Sequence, residues 1–126
     1  MVFFSKPRYT MTTSFKNAHA LDDRCKESQK MLAKYPERIP VIVEIADGCQ
    51  LNPITKNKYL APRDMQMSQF VFTIRKKIQL EPSQAIFVLV NNQLVTSNAQ
   101  LSKIYEDHRD EDGFLYMVYT SENTFG

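Results

Sequence analysis

Two stretches of the chain place hydrophobic residues at helical intervals. The first runs from Leu21 to Tyr35 and ends before Pro36, since proline disfavours helix in the residue before it. The second, "DMQMSQFVFTIRKKIQL", closes on basic residues, which suit a helix C-terminus. A shorter helical turn is expected at residues 15–19. The apolar stripes are Leu21, Cys25, Ser28, Leu32 and Tyr35 in the first helix, and Met67, Phe70, Val71, Ile74 and Ile78 in the second.

Strands are indicated by alternation and by short apolar runs. "RIPVIVEIA" alternates, and "KNKYLAP" is predicted to pair back on it across the turn "DGCQLNP" and to stop at Pro62. "AIFVLV" and "LVTS" are predicted strands joined by the turn "NNQ", and "FLYMVYTS" is the last strand. Ser97 with Gln100 predicts a capping box at the start of a short helix, and "EDHRDEDG" an acidic loop after it.

The predicted order is helix, strand, strand, helix, strand, strand, short helix, strand. A hairpin, a crossover helix, two further strands and a final central strand form the order of the ubiquitin-like β-grasp, an α+β fold. We therefore predict a mixed sheet of four to five strands with one or two extra N-terminal helices. The expected units are a flexible extension at residues 1–14, a helical subdomain at 15–36, the β-grasp at 37–121 and an exposed tail at 122–126.

The charges are unevenly distributed along the chain. Residues 1–80 carry fourteen Lys or Arg against seven Asp or Glu, whereas residues 81–126 carry two against seven. A basic face of this kind favours acidic partners, such as acidic peptides, the acidic tails of tubulin or anionic lipid head groups. Specific nucleic-acid binding is not expected, because the sequence lacks interleaved aromatic and basic residues.

Catalytic and cofactor chemistry is not indicated. Glycine occurs only at positions 48, 113 and 126, so no glycine-rich phosphate loop can form. His19 and Cys25 lie six residues apart, so on a helix they would face different ways, and the two cysteines lack the spacing of a metal site. We expect no enzymatic activity, no cofactor and no metal. The longest apolar run, residues 85–90, is too short for a membrane span, and we expect a cytoplasmic protein.

Three stretches carry a resemblance to a known family: "RIPVIVE", "KYLAP" with "QFVFTIRKKIQL", and "YEDHRDEDGFLYMVYTSENTFG". They resemble the ubiquitin-like autophagy modifiers, the family of microtubule-associated protein light chain 3 and the GABA-receptor-associated protein. The similarity extends over residues 15–126. The preceding "MVFFSKPRYT" is unlike the family and could touch a membrane through Val2, Phe3 and Phe4.

The resemblance implies a role for the last residue. Members of this family are activated at a C-terminal glycine, passed between activating and conjugating enzymes, and joined to phosphatidylethanolamine on the autophagosome membrane. A cysteine protease processes and deconjugates them. Gly126 occupies that position, and without a Cβ it can enter a narrow active site and leave its carbonyl open to attack. The resemblance thus implies a protein that moves from the cytoplasm to the autophagosome membrane.

The second implied function is capture of receptor and adaptor peptides with an aromatic residue, two spacers and an aliphatic residue. The residues support this independently, because "KNKYL" is a short basic strand expected at the sheet edge. By resemblance, the aromatic pocket is lined by Glu27, Met31, Pro40, Ile42, Lys58, Leu60 and Phe114. The aliphatic pocket is lined by Tyr59, Ala61, Pro62, Met65, Phe70 and Thr73. Acidic residues flanking the peptide motif would meet Arg38, Lys56, Lys58 and Lys77.

Several of these residues have a structural alternative. Ile42, Phe70 and Phe114 could simply belong to the core. Lys56 and Lys58 could protect the edge strand against aggregation, which is compatible with binding.

Two departures from the family bear on specificity. Ala61 and Thr73 stand where relatives have larger aliphatic residues, which makes the aliphatic pocket wider or more polar.

An alternative function also follows from the basic face: a ubiquitin-like binding module that contacts microtubules or acidic proteins without being conjugated.

Overall fold

The computed structural model describes residues 14–121. Its helices are α1 (Phe15–Ala18), α2 (Leu21–Lys34), α3 (Met67–Lys77) and α4 (Leu101–His108). Its strands are β1 (Arg38–Ile45), β2 (Lys58–Pro62), β3 (Phe87–Val90), β4 (Gln93–Leu94) and β5 (Leu115–Thr120). The strands form one sheet in the order β2-β1-β5-β3-β4. The predicted α+β fold, a five-stranded β-grasp with two additional N-terminal helices, is confirmed.

The strand pairings follow from the connections. β1 and β2 form an antiparallel hairpin, from Arg38 opposite Pro62 to Ile42 opposite Lys58. β5 returns to the centre of the sheet, where it pairs parallel with β1 and antiparallel with β3. A parallel neighbour needs a long crossover connection, and the chain between β1 and β5 supplies it. β2 and β4 are therefore the two edge strands.

Alternation divides the side chains of β1 and β5 between the two faces of the sheet. One face carries the main core, in which α3 and α4 pack on fully buried residues such as Val41 and Met117. The opposite face carries a smaller cluster of Phe15, Ile42 and Phe114 beneath α1 and α2. Because both faces are covered, β1 is buried without interruption from its second to its sixth residue.

Helices α3 and α4 begin side by side. The residues before them, Gln66 and Gln100, form an antiparallel bridge, and the Ser97 carbonyl accepts the amide of Ser68 at 2.9 Å. The free amides at the start of α3 are thus satisfied by the chain that leads into α4. The predicted capping box at Ser97 and Gln100 is wrong, because α4 begins only at Leu101 and Ser97 lies in the preceding turn.

Three details differ from the prediction. β4 has two residues, so the return strand predicted at "LVTS" is shorter and begins one residue earlier. α4 continues to His108, so the first part of the predicted acidic loop is helical. Of its predicted stripe, α2 buries only Ser28, and Leu21 and Tyr35 are 42% and 41% exposed. Helix α2 therefore attaches to the sheet with little apolar burial.

The predicted extension and tail lie outside the described residues, except for Ser14. The Ser14 side chain is the N-cap of α1 and accepts the amide of Asn17 at 3.1 Å. The boundaries proposed for the helical subdomain and the tail stay predictions. No helix within residues 14–121 is long and apolar enough to cross a membrane.

Candidate peptide-binding site

The outer side of β2 has no strand partner within residues 14–121. On its inner side, Asn57 just before the strand accepts the amide of Val43 at 2.8 Å. Backbone groups alternate sides along an antiparallel strand. The amides and carbonyls of the odd-numbered residues of β2 therefore form the hydrogen bonds to β1. The amides and carbonyls of Lys58 and Leu60 then point away from the sheet. Pro62 has no amide and ends the row of donors.

The aromatic-pocket candidates meet on the face of the sheet that carries α1 and α2. Leu60 lies opposite Pro40, and Lys58 lies opposite Ile42. The Lys58 ammonium forms an ion pair and a hydrogen bond with the Glu27 carboxylate, which links α2 to the edge strand. One strand pair and one helix face thus hold the polar rim of this candidate pocket.

Two of the aromatic-pocket candidates are fully buried and belong to a core cluster, which was the structural alternative for them. Ile42 and Phe114 are 0% exposed, and Met31 packs against them. Phe15, at the start of α1, completes the cluster: its ring meets that of Phe114 edge to face, with centroids 5.3 Å apart, and the Lys58 ammonium lies 5.5 Å from its centroid. Phe15 was not among the residues predicted for the site, because its only signal in the sequence was a single aromatic at the start of a short helical turn.

The aliphatic-pocket candidates begin on the opposite face of the same strand. Tyr59 and Ala61 are buried and point toward α3, where the Tyr59 ring meets the Phe70 ring edge to face at 5.8 Å. Phe70 is 2% exposed and belongs to the main core. The structure therefore brings these three residues together.

The remaining aliphatic-pocket candidates lie around this group. Met65 and Thr73 are half-buried, and the Thr73 hydroxyl donates to the carbonyl of Gln69 at 3.1 Å, so its polar atom is already bonded. Pro62 differs from the others, because alternation places it on the face of Leu60 at the end of β2.

The Tyr59 hydroxyl is buried and has no hydrogen-bond partner among the residues that the structure describes. Its residue is 8% exposed. Burial raises the pKa of this phenol above its ordinary value of 10.0, because the charged form loses solvation. A buried polar atom without a hydrogen-bond partner lowers the stability of the folded protein.

Three of the four predicted acid-binding cations lie on or beside β2. Arg38 Nη1 donates to the outward-facing carbonyl of Leu60 at 3.2 Å. The Lys56 ammonium lies 5.1 Å from the centroid of the Tyr59 ring, and Lys77 is exposed at the end of α3. Arg38, Lys56 and Lys58 thus supply positive charge beside the open side of β2.

A polar network that the sequence did not reveal fixes α2 to the sheet. The fully buried Asp112 carboxylate accepts Arg24 Nη1 of α2 at 2.6 Å, the Tyr116 hydroxyl at 2.6 Å and the Phe114 amide at 2.8 Å. The Ser28 hydroxyl of α2 donates to the Asp112 carbonyl. Burial, together with the bond to Asp112, raises the pKa of Tyr116 well above 10.0. These bonds position the helix that carries Glu27 and Met31.

Gly113 lets this network form. Its φ of +91° lies in the region that favours glycine, and a Cβ there would lie 2.4 Å from Ser28 Oγ. Gly113 lies in "YEDHRDEDGFLYMVYTSENTFG", one of the stretches that carry the family resemblance, and this close approach to α2 is the physical reason for a glycine at position 113. Gly126, the predicted conjugation residue, lies outside the described residues.

A five-stranded β-grasp preceded by two helices, with an open edge strand, defines a ubiquitin-like protein with an N-terminal helical addition. The family model for autophagy protein Atg8, described as ubiquitin-like, matches residues 23–126. The chain belongs to the Atg8 family of ubiquitin-like autophagy proteins, as the resemblance indicated.

Individual relatives can be aligned with almost the whole chain. Autophagy-related protein 8 of Mycosarcoma maydis is 50% identical over 116 residues, covering 92% of this chain and 98% of that protein. Autophagy-related protein 8A of Oryza sativa subsp. japonica is 53% identical over 114 residues, covering 90% and 96%. A solved structure of Plasmodium falciparum Atg8 in complex with a Plasmodium falciparum Atg3 peptide has a TM-score of 0.82 at 34% identity, covering 88% of this chain and 98% of that one.

Proposed function

We propose that this protein is a conjugatable autophagy modifier that captures receptor peptides by adding them as a strand to β2. One observation supports the peptide half of the proposal: apart from Pro62, the β2 residues assigned to the two candidate pockets lie on opposite faces of the same open edge strand. Lys58 and Leu60 face α2, whereas Tyr59 and Ala61 face α3.

The spacing of the expected motif matches this division. In an extended peptide, residues i and i+3 point to opposite faces and lie about 10 Å apart along the strand. An aromatic residue and an aliphatic residue separated by two spacers can therefore enter pockets on the two faces at once. A motif with one or three spacers would put both anchors on one face.

The backbone of β2 supplies the remaining attraction. Lys58 and Leu60 offer amides and carbonyls to an added strand, and Pro62 ends the pairing. On β2 the aromatic-pocket candidates begin at Lys58 and the aliphatic-pocket candidates end at Pro62, so we infer that the peptide lies parallel to β2. Acidic flanks of the peptide meet the cations at this edge, which mainly speeds encounter and adds up to about 1 kcal/mol for each exposed pair.

A matched pair of leucines tests the peptide site. Leu60→Ala truncates a half-buried side chain on β2, while Leu94→Ala truncates a leucine that is 52% exposed on β4, the far edge of the same sheet. In a titration with a peptide carrying Trp-Glu-Glu-Leu, we expect Leu60→Ala to weaken binding about tenfold and Leu94→Ala to leave it unchanged. Equal effects of the two leucine substitutions on peptide affinity would contradict β2 as the binding site. An affinity that neither Lys58→Ala nor Leu60→Ala changes would contradict it as well.

The conjugation half of the proposal rests on family membership and on Gly126. The Plasmodium falciparum relative is described with a peptide of Atg3, which supports a conjugating enzyme as a partner of this chain as well. The other partners we propose are an activating enzyme, a cysteine protease that processes and deconjugates the protein, and phosphatidylethanolamine in the autophagosome membrane. The protein is then a substrate of enzymes and not a catalyst.

Conjugation is tested with activating and conjugating enzymes, ATP and phosphatidylethanolamine vesicles. We expect the wild-type chain to shift to a form that floats with the vesicles, and Gly126→Ala or omission of ATP to abolish the shift. Lipidation that persists in Gly126→Ala would refute the role of the glycine. An unconjugated module that contacts microtubules or acidic proteins would keep its full activity in this variant.

A further inference from the structure

A groove lies where strand β2 stops short of β1. The two strands pair as far as Ile42 opposite Lys58, whereas β1 continues to Ile45. Beyond Val43, whose amide donates to the carbonyl of Asn57, β1 has no partner strand on this side in the described part of the chain. The groove left there has a volume of about 340 Å³, within the range of pockets that bind small ligands.

Most of the groove lining is apolar. Its apolar residues are Val43, Ile45, Ala46, Pro53, Ile54 and Val118. Pro53 is exposed, and Ile45, Ile54 and Val118 are only partly buried. Covering apolar surface that is partly open to water in this way is favourable.

Two carboxylates also line the groove. Glu44 accepts the amide of Phe15 at 2.7 Å, and Asp47 is exposed in the turn after β1. Among the residues that the structure describes, neither carboxylate forms an ion pair, and no Lys or Arg lines the groove. The groove therefore combines apolar surface with unbalanced negative charge.

The segment before Ser14 has the complementary composition. Residues 1–13 contain Lys6 and Arg8 but no acidic residue, and they include aromatic residues such as Tyr9. Ser14 itself lines the groove, so this segment is attached at its rim. The five residues from Tyr9 to Ser14 reach at most about 18 Å when extended, which keeps the segment close to the groove. A short tether of this kind gives an effective concentration on the order of millimolar, so weak contacts suffice for docking.

We propose that residues 1–13 dock in this groove, with Tyr9 covering the apolar lining and with Lys6 and Arg8 facing Glu44 and Asp47. The occupant is thus a segment of the same chain. None of the residues assigned to the two candidate peptide pockets lines the groove, so the inference does not depend on the proposed function.

A single tryptophan in the full chain tests the docking. The sequence contains no tryptophan, so Tyr9→Trp introduces one fluorescent reporter. The reporter chain is compared with a synthetic peptide of residues 1–13 that carries the same tryptophan and lacks the groove. Quenching by acrylamide then measures how far the tryptophan is exposed in each.

Three substitutions in the reporter chain locate the contact. Glu44→Gln and Asp47→Asn each remove one charge from the groove, and glutamine at position 44 keeps an oxygen that can accept the Phe15 amide. Glu37→Gln is the matched control, because Glu37 is an exposed glutamate that precedes the opposite end of β1.

We expect acrylamide to quench the tryptophan less in the full chain than in the peptide. Glu44→Gln and Asp47→Asn should each lower the ratio of docked to undocked chain by up to about fivefold, the range of one exposed ion pair, and added salt should lower it too. Glu37→Gln should leave the quenching unchanged. Without the reporter, replacing Lys6 and Arg8 by glutamine should shift the backbone amide signals of residues 44–47 in nuclear magnetic resonance spectra.

Four results would overturn the proposal. The tryptophan could be as accessible in the full chain as in the peptide, which would mean that the segment does not dock. Equal quenching in the three acid variants would place the contact outside the groove. Shielding that increases with protein concentration would indicate docking between copies of the chain. Shielding that needs vesicles of anionic lipid would make the segment a membrane contact instead.

Discussion

Removing the Tyr59 hydroxyl should stabilise the protein. This hydroxyl is buried beside Phe70 and has no hydrogen-bond partner in the described part of the chain. A buried donor without a partner costs about 1–3 kcal/mol relative to its solvated state in the unfolded chain. Phenylalanine keeps the ring and its contacts with Phe70, so Tyr59→Phe should gain about 1 kcal/mol after the small void it leaves is counted.

Tyr119 provides the matched control. It is also buried in the main core, but its hydroxyl donates to the carbonyl of Asn52 at 2.6 Å. Tyr119→Phe loses that bond and should cost about 1 kcal/mol. The same chemical change at two buried tyrosines should therefore move stability in opposite directions.

Equilibrium unfolding in urea, followed by circular dichroism, measures both variants. With a typical m-value, 1 kcal/mol moves the midpoint by about 0.3–1 M, and the melting temperature should change by about 4 °C. The slope m should stay constant, because the surface exposed on unfolding is almost unchanged. A Tyr59→Phe midpoint as low as that of Tyr119→Phe would refute the reasoning, since the Tyr59 hydroxyl would then be bonded in the folded protein.

Two further outcomes follow from the network around α2 and from the buried phenols. Gly113→Ala should destabilise the protein by about 1–3 kcal/mol in urea unfolding, because alanine is strained at φ +91° and its Cβ would strike Ser28 Oγ. A midpoint equal to that of the wild type would contradict this account. Burial raises the pKa of Tyr59, Tyr116 and Tyr119 above 10.0, so the folded state holds these protons more tightly than the unfolded chain does. The contribution of these groups to stability should be constant below pH 10 and should fall as the pH rises above 10, by up to about 1.4 kcal/mol per pH unit for each phenol. Urea midpoints at pH 9 and pH 11 test this, and Tyr116→Phe should reduce the loss. Equal midpoints at the two pH values would contradict the prediction.

Local patterns were sufficient to predict the elements of the fold. Alternation located β1, helical spacing located α3, and the order of the elements implied the parallel pairing of β1 with β5. The start of α4 was misjudged because a Ser-x-x-Gln pattern also suits a turn, and here the turn satisfies the amides of α3. Contacts between distant segments decided that detail, and they leave no periodic signal in the sequence.

The candidate site was also predicted only in part from the sequence. The resemblance named the pocket residues, and the backbone alternation of "KYLAP" explains why they fall on two faces. Neither source indicated that Arg24 and Asp112, 88 positions apart, would pair in the structure. Phe15 was missed for the same reason, since its partners are distant in sequence: Ile42 lies in β1 and Phe114 just before β5.

The attachment of α2 has a consequence for the evolution of ligand preference. This helix buries one residue and is held mainly by directional bonds at Asp112 and Lys58. Substitutions at residues 112 and 113 should therefore shift the helix that carries Glu27 and Met31, although neither position belongs to the candidate aromatic pocket. Related proteins can therefore differ in ligand preference through residues 112 and 113 while all candidate pocket residues stay the same.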